Sequence, residues 1–164
     1  MLEMTKGTVL AILLGVAATS TAAEKADRVV VKKSVARLYL ERDGKTFASF
    51  RAAFGARAKG HKQQEGDERT PEGRYVLDSK NASSAYYKAI HISYPNANDT
   101  ASAKARGVDP GGLIMVHGQK NGFGWLAPLV QRFNWTEGCI AVSDQDMDII
   151  WQAVDVGTPI EILP

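Results

Sequence analysis

The sequence predicts a mainly β domain with one or two packed helices, because most of its segments have the pattern of short, closely spaced strands. Residues 36–41 alternate between apolar and polar side chains, which is the period of a half-buried strand. Asp43-Gly44 then indicates a tight hairpin turn, and residues 46–54 form the expected partner strand. A run of valines at 29–31 precedes this hairpin as a further predicted strand.

The middle of the chain is expected to contain two more strands, at 74–78 and 88–94, separated from the rest by loops. Residues 55–73 are polar and of mixed charge, which leaves a solvated surface and a functional role equally open. Residues 95–112 are rich in Asn, Asp, Ser, Pro and Gly. They predict a long loop with one helical turn at most, of the kind that often serves as a lid or substrate wall.

The last third of the chain is expected to place a buried strand before a helix. Residues 113–116 are continuously apolar, which predicts a central strand buried on both faces and ending at His117. Ser143 is a candidate helix cap, since residues 147–154 carry apolar side chains at helical spacing and Gly157 would end the helix. The remaining predicted elements are a short helix at 126–133, a short strand at 139–142 and a last strand at 159–163.

The bulk composition fits one ordinary globular domain. The chain has 164 residues, of which 45% are hydrophobic and 23% charged, so disorder is not expected. Its net charge of +2 is too small to indicate a nucleic-acid-binding surface.

The first 23 residues have the pattern of a signal peptide. Lys6 precedes an apolar run at 9–18, and small residues follow it up to Ala23. The run is too short for a membrane anchor, and a buried N-terminal helix is the alternative interpretation. We therefore expect a signal peptide at 1–23 and an exported domain at 24–164, in the periplasm or cell envelope. No integral membrane segment is expected after cleavage.

Cys139 is the candidate nucleophile, since the single cysteine of an exported protein cannot form an internal disulfide. Gly138 before it allows a sharp turn whose successive amides are placed to form an oxyanion hole. His117, at the end of the predicted buried strand, is the candidate base, and Gly118 frees a carbonyl to orient the imidazole. A thiol whose proton passes to His117 should be alkylated faster than an ordinary thiol near pH 7.

Other interpretations of these residues are open. A free cysteine is most often a small core residue, so a buried structural thiol is the alternative for Cys139. His91 is a rival base, although its mid-strand position fits a structural or wall residue better. The three histidines lack ligand spacing and one cysteine does not make a zinc cage, so neither a metal nor a cofactor is expected. The sequence has neither a serine nucleophile elbow nor a Cys-x-x-Cys redox motif.

Two signatures accompany the candidate pair, first His-Gly and then Thr-x-Gly-Cys. They lie in the runs LIMVHG at 113–118 and WTEGCIAV at 135–142, which GTPI at 157–160 follows. Together with DERTPEGRY at 67–75 and ISYPN at 92–96, these runs resemble the L,D-transpeptidase catalytic (YkuD-type) domain family. The similarity covers most of residues 28–164, and the ordered pair of signatures is fairly specific.

The resemblance implies a compact β-sandwich in which the cysteine and the histidine share a cleft. It implies Cys139 as the nucleophile, His117 as the base and the Gly118 carbonyl as the group that orients the base. The implied oxyanion hole consists of the backbone amides of Glu137, Gly138 and Cys139. The candidate substrate-binding residues are Thr136, His91 and Tyr94.

The resemblance also implies a reaction on peptidoglycan stem peptides. The family's cysteine attacks the amide between diaminopimelate and D-alanine, and the acyl-enzyme is resolved by a second stem's amine, a lipoprotein lysine or water. The expected function is therefore L,D-transpeptidation, with a wall-attached protein as a further candidate partner. Two alternatives remain, namely hydrolysis of the same substrates by an L,D-carboxypeptidase or amidase, and a non-catalytic wall-binding module.

The sequence departs from the commoner family pattern on both sides of Cys139. Family members often have histidine two residues before the cysteine and arginine two residues after it, where this chain has Glu137 and Ala141. The missing arginine removes a fixed cation that could read substrate carboxylates. The run WTEGCIAV resembles a branch in which some members are thought to cleave attachments to peptidoglycan. Acyl-enzyme chemistry is therefore better supported than transpeptidation itself.

Overall fold

The computed structural model describes residues 23–164. The predicted signal peptide at 1–23 therefore lies almost wholly outside the described residues. Within the described range, no helix combines the length and apolar character that a membrane crossing requires.

Eight strands form one sheet, which confirms the expected mainly β fold. In chain order they are β1 (Arg28–Lys32), β2 (Arg37–Arg42), β3 (Lys45–Arg51), β4 (Gly73–Asn81), β5 (Ala89–Ile92), β6 (Met115–His117), β7 (Ile140–Ala141) and β8 (Thr158–Leu163). Their order across the sheet is β3-β2-β1-β8-β4-β5-β6-β7. β1 pairs with β8 and β6 with β7 in parallel, whereas the other neighbours are antiparallel.

The sheet curls until its two edges meet. Ala53, just after edge strand β3, exchanges two backbone hydrogen bonds of 2.8 Å with Ala141 of the opposite edge strand β7. Gly55 forms a further bridge to Thr136. Pairing of the two edges satisfies backbone groups that would otherwise be exposed, and it anchors the segment before β7. The eight strands are therefore one curled sheet with the core inside the curl.

Alternate side chains of the strands fill that core, and one helix covers it. Leu38 and Leu40 of β2 are buried on one face, as the alternating pattern predicted, and Val29 and Val31 of β1 belong to the same cluster. Met147 and Ile150 of α3 (Asp144–Ala153) pack into the same cluster, and Trp151 lies partly buried against it. The Ser143 hydroxyl accepts the Asp146 amide hydrogen, so the predicted helix start is confirmed.

The prediction of a loop at 95–112 is wrong over most of that range, because residues Ala97–Arg106 form helix α1. Asn96 caps this helix by accepting hydrogen bonds from the amides of Asn98 and Asp99, and the Asp99 side chain returns a bond to the Asn96 amide. Gly107 ends the helix in the left-handed conformation. The capping box and the terminal glycine were the sequence signals for it.

Two smaller expectations also need correction. The strand before His117 begins at Met115 and not at 113, since Leu113 has φ of 54° and is 75% exposed. The helix expected at 126–133 is limited to α2 (Ala127–Val130), preceded by a 3-10 turn at Gly124–Leu126. A second 3-10 turn joins β1 to β2 at Lys33–Val35. Helix α3 ends at Ala153, ahead of Gly157.

Candidate active site

The parallel pairing of β6 with β7 brings the two candidate catalytic residues together. Val116 pairs with Ile140, so His117 follows one member of the pair while Cys139 precedes the other. His117 therefore ends β6, and Cys139 lies immediately before the neighbouring strand β7, at the edge where the sheet closes on itself. The Sγ atom of Cys139 is directed at the carbonyl oxygen of Leu113, 3.6 Å away, rather than at the imidazole.

The imidazole of His117 is held in one tautomer by its own neighbour. Its Nδ1 lies 2.6 Å from the Gly118 carbonyl oxygen, which only accepts, so Nδ1 carries the hydrogen and Nε2 keeps the free lone pair. The ring is 4% exposed. The centroid of the Tyr86 ring lies 4.6 Å from that of the imidazole. The centroid of the Trp135 ring lies 6.1 Å from it, in a T-shaped arrangement. The Gly118 carbonyl therefore contacts the imidazole in the way that the sequence led us to expect.

Burial keeps both members of the pair neutral. It lowers the pKa of His117 from its ordinary 6.5, although the hydrogen bond to Gly118 opposes the shift. Burial also raises the pKa of the Cys139 thiol from 9.0, although a hydrogen bond from the Met115 backbone lowers it in part. At neutral pH these two shifts favour a thiol and a neutral imidazole. They therefore favour slow alkylation of Cys139, in place of the fast alkylation that the sequence led us to expect.

Asp144, which sequence reasoning missed, fixes the Gly118 carbonyl in place. Its Oδ1 accepts the amide hydrogen of Gln119 at 2.7 Å, and the Gly118 amide donates to the Tyr87 carbonyl at 2.8 Å. A Cβ added at Gly118 would lie 2.6 Å from the same carboxylate oxygen, so only glycine fits there. In the sequence, Asp144 looks like an ordinary acidic residue in the first turn of a helix.

The turn before Cys139 is shaped by Gly138 and Thr136. Gly138 has φ of +132°, and a Cβ there would lie 2.7 Å from the Arg69 carbonyl oxygen. The Gly138 amide donates to the Thr136 hydroxyl at 3.2 Å, and that hydroxyl donates to the Cys139 carbonyl at 2.7 Å. Of the three amides expected in the oxyanion hole, that of Gly138 is therefore engaged. Within the described chain the amides of Glu137 and Cys139 form no hydrogen bond.

The candidate substrate-binding residues are placed less favourably. Thr136 is 5% exposed and uses its hydroxyl inside the turn. Tyr94 is 3% exposed and donates its hydroxyl hydrogen to the Pro110 carbonyl. His91 lies on β5 opposite Met115, with its Nδ1 2.7 Å from Asp78, and remains partly accessible. The structure thus gives Thr136 and Tyr94 internal partners and leaves His91 as the only one of the three that reaches solvent.

The polar loop at 55–73 packs under the site, and it carries a buried cation that sequence reasoning also missed. Lys62 is 3% exposed and bonds Asp67 at 3.0 Å and the Gln64 carbonyl at 3.1 Å. Its charge lowers the pKa of Cys139, which partly opposes the effect of burial. Thr70 is fully buried and accepts the Gly55 amide hydrogen. Parts of the loop therefore pack behind Cys139, while residues 63–66 are exposed on the surface.

The described residues contain no cluster of three or more histidine, cysteine, aspartate or glutamate side chains that could hold a metal ion. His61 is bound to Asp99 at 3.1 Å and accepts the Glu72 amide hydrogen, which places it in a structural network.

Comparison with known proteins decides the family. Residues 26–162 match the family described as L,D-transpeptidase catalytic domain, YkuD. The chain belongs to this family. Members of the family act on peptidoglycan.

Individual relatives agree with this assignment. The chain is 35% identical over 97 residues to the Escherichia coli K12 protein named Putative L,D-transpeptidase YafK. This match covers 58% of the chain and 32% of YafK. Its structure resembles that of the helical cell shape determining protein Pgp2 from Campylobacter jejuni, with a TM-score of 0.62 and 29% identity. That match covers 82% of the chain and 46% of Pgp2. The chain therefore matches only about a third of the length of YafK and less than half of that of Pgp2.

More distant structures share the fold. L,D-transpeptidase 3 of Mycobacterium tuberculosis has a TM-score of 0.57 at 19% identity, over 84% of this chain and 60% of that protein. The curled sheet with few short helices is thus the fold of known L,D-transpeptidases.

Proposed function

We propose that this L,D-transpeptidase domain transfers acyl groups of peptidoglycan stem peptides through a Cys139 acyl-enzyme, with His117 as the base. The observation that carries the proposal is the Nδ1 contact of His117 with Gly118. It leaves Nε2 unprotonated on the strand next to Cys139, where a general base for the thiol is needed.

The reaction follows from these groups. Sγ of Cys139 attacks the carbonyl carbon of the stem amide while His117 Nε2 takes the thiol proton. The negative oxygen that forms accepts hydrogen bonds from the Glu137 and Cys139 amides. The C–N bond then breaks, and His117 returns the proton to the leaving amine of D-alanine. This leaves a thioester on Cys139. The amine of a second stem attacks it while His117 takes a proton from that amine, and the C–S bond breaks as His117 returns the proton to Sγ, which gives the new amide and the free thiol.

A neutral resting pair suits this order of events. Burial opposes the separated thiolate and imidazolium, so the charged pair forms only as the thiol attacks. Deprotonation is then coupled to bond formation, and the partly buried thiol, which stays protonated at rest, reacts slowly with unrelated electrophiles.

Hydrolysis of the same thioester is the second candidate, and Glu137 favours it. Its exposed side chain lies close enough to raise the pKa of the Cys139 thiol. A carboxylate in that position can accept a proton from an attacking water molecule. The commoner family residue there is histidine, so this base is particular to chains with Glu137. The products would be those of an L,D-carboxypeptidase or of an amidase that releases a wall-attached protein.

Purified muropeptides incubated with residues 24–164 separate these outcomes. Mass spectrometry should find D-alanine released from tetrapeptide stems, with cross-linked products for transfer or trimmed products for hydrolysis. Cys139→Ala and His117→Ala should give neither. Untouched muropeptides with the wild-type domain, under conditions in which it binds them, would instead support a non-catalytic wall-binding module.

The site of action is proposed to be the periplasm or cell envelope. The signal-peptide pattern of residues 1–23 and the peptidoglycan substrate of the family support this. Terminal sequencing of the protein from the cell envelope should give Glu24 or a close neighbour as the first residue. Recovery of intact Met1 in the cytoplasm would contradict export.

A further inference from the structure

The outer face of the sheet carries a row of side chains that runs from β5 across β6 to the residue before β7. The residues that alternate with the core side chains of β5 and β6 point out of the curl, and they include His91 and Met115. These two residues face each other across the strands. The β6–β7 register, continued by one residue, places Cys139 opposite Met115, whose backbone hydrogen-bonds the thiol. His91, Met115 and Cys139 therefore share one row on one face.

Asp78 of β4 extends this row at the end away from Cys139. The register of β4 against β5 shifts between Leu77 and Ser79, so Asp78 is the extra residue of a bulge. Its carboxylate lies 2.7 Å from Nδ1 of His91. An ionised carboxylate only accepts hydrogen bonds, so Nδ1 carries the hydrogen and His91 holds one oxygen of Asp78 in place. Within the described part of the chain, neither a lysine nor an arginine forms an ion pair with Asp78.

The parts of this row offer different contacts to a substrate. The side chains of His91 and Asp78 are 24% and 42% exposed, so the carboxylate can be reached from solvent. No permanent cation of the described residues balances it, and an ammonium group is therefore its complement. Met115 lies partly exposed between this pair and the thiol, and a methionine side chain is apolar and adapts to its partner. The row thus suits an aliphatic chain that ends in an amine.

The spacing of the row matches the length of one substrate side chain. Neighbouring strands lie about 4.8 Å apart, so about 10 Å separates the backbone of Cys139 from that of His91, whose ring the Asp78 carboxylate contacts. A diaminopimelate residue carries its second amine six bonds from the carbonyl carbon that Cys139 attacks, and this chain spans about 7.5 Å when extended. The Sγ–C bond at one end and a hydrogen bond at the other cover the remaining distance.

We propose that Asp78 binds the free ammonium group on the side chain of the substrate residue whose carbonyl Cys139 attacks. His91 is a positioning residue that holds the carboxylate, and Met115 contacts the methylene groups. The acceptor's amine has to reach the thioester carbon, so an ammonium group bound about 10 Å away belongs to the donor stem. The inference rests on the proposed function, because it names the residue that selects a diamino acid as the donor in that reaction.

NMR titration of the isotope-labelled Cys139→Ala protein with two tetrapeptide stems tests the proposal. One stem has diaminopimelate as its third residue. The other has aminopimelate, which lacks the second amine and keeps the second carboxylate. The diaminopimelate stem should bind about five- to tenfold more tightly, as expected for a hydrogen-bonded ion pair. Asp78→Asn in the same protein should remove this difference, whereas Met115→Ala should weaken the binding of both stems by a similar factor and preserve it.

Asp43→Asn is the matched control, because it removes the same charge at a distant position. The Asp43 side chain is 88% exposed in the β2–β3 turn, and β1 and β8 lie between that hairpin and β4. This variant should leave both affinities unchanged. Equal binding of the two stems, no binding of either, or a preference that survives Asp78→Asn would overturn the proposal. So would a preference that is lost in Asp43→Asn, or affinities that Met115→Ala leaves unchanged.

Release of D-alanine by the wild-type domain is measured separately from this titration. Its absence would refute the proposed reaction, while the preference of the Cys139→Ala protein for the second amine would still support the assigned role of Asp78. Conversely, turnover of both stems with equal KM values would uphold the reaction and refute the assignment of Asp78.

Discussion

Replacement of Asp144 by alanine should loosen the support of His117, the proposed base. The Asp144 carboxylate accepts the Gln119 amide hydrogen at 2.7 Å, and the adjacent Gly118 carbonyl accepts the Nδ1 hydrogen of His117 at 2.6 Å. Gln119 is 2% exposed, so water has little access to the amide that loses its acceptor. We therefore expect both the stability of the domain and the orientation of His117 to suffer.

The size of the effect follows from the environment of that amide. An unsatisfied buried N–H group costs about 1–3 kcal/mol. Loss of an acidic side chain from the first turn of α3 adds about 0.3–1 kcal/mol. For a domain of this size, each kcal/mol lowers the melting temperature by about 4 °C. The kcat should fall roughly 10–100-fold with little change in KM, because misorientation of a catalytic base acts on the transition state.

Urea unfolding and steady-state kinetics of three variants measure this. Asp146→Ala is the matched control, because Asp146 is also acidic and lies in the first turn of α3 but does not accept the Gln119 hydrogen bond. It should lose only the helix contribution, and Asp144→Asn should recover most of the stability and activity because it keeps an acceptor. If Asp144→Ala and Asp146→Ala agree within about 0.5 kcal/mol and in kcat, the inferred link to His117 is wrong.

Three further predictions follow from the site. The kcat/KM should fall in acid with a midpoint below pH 6.5, because burial lowers the pKa of His117 and the base must be neutral; a midpoint above 6.5 in the pH profile would contradict this. Alkylation of Cys139 by iodoacetamide at pH 7 should be slower in the folded than in the urea-unfolded protein, since burial raises the thiol pKa above 9.0; equal rates would exclude it. Gly138→Ala should lower the free energy of unfolding in urea by about 1–3 kcal/mol more than Gly44→Ala. Both glycines have positive φ, but only at Gly138 would an added Cβ also meet the Arg69 carbonyl. Equal losses in the two variants would show that this contact does not affect stability.

Local sequence signals predicted the parts of the fold that depend on neighbours in the chain. The Asp43-Gly44 turn and the alternation around it gave the β2–β3 hairpin, where Arg42 pairs with Lys45. Ser143 gave the start of α3. Helix α1 was not predicted, although Asn96 and Gly107 mark both of its ends. The residues between them are mostly small or polar, which is also typical of a loop.

The parts that sequence could not give depend on contacts between distant segments. The curl of the sheet is fixed by the bridge from Ala53 to Ala141, and neither alanine carries a signal for it. In the proposed site, Cys139 and His117 could be named from the sequence because their residue types and flanking glycines are unusual. Asp144 acts through a tertiary contact, so nothing in its local sequence distinguished it from any acidic residue at a helix start.

Detection of the acyl-enzyme tests the central claim most directly. The wild-type domain, mixed with a tetrapeptide muropeptide and quenched in acid, is measured by intact-protein and peptide mass spectrometry. The account predicts an added mass equal to the stem acyl group without its terminal D-alanine, located on the peptide that contains Cys139. His117→Ala should form it far more slowly, and Cys139→Ala should not form it. Release of D-alanine at the wild-type rate by Cys139→Ala, or an adduct on another residue, would contradict the account.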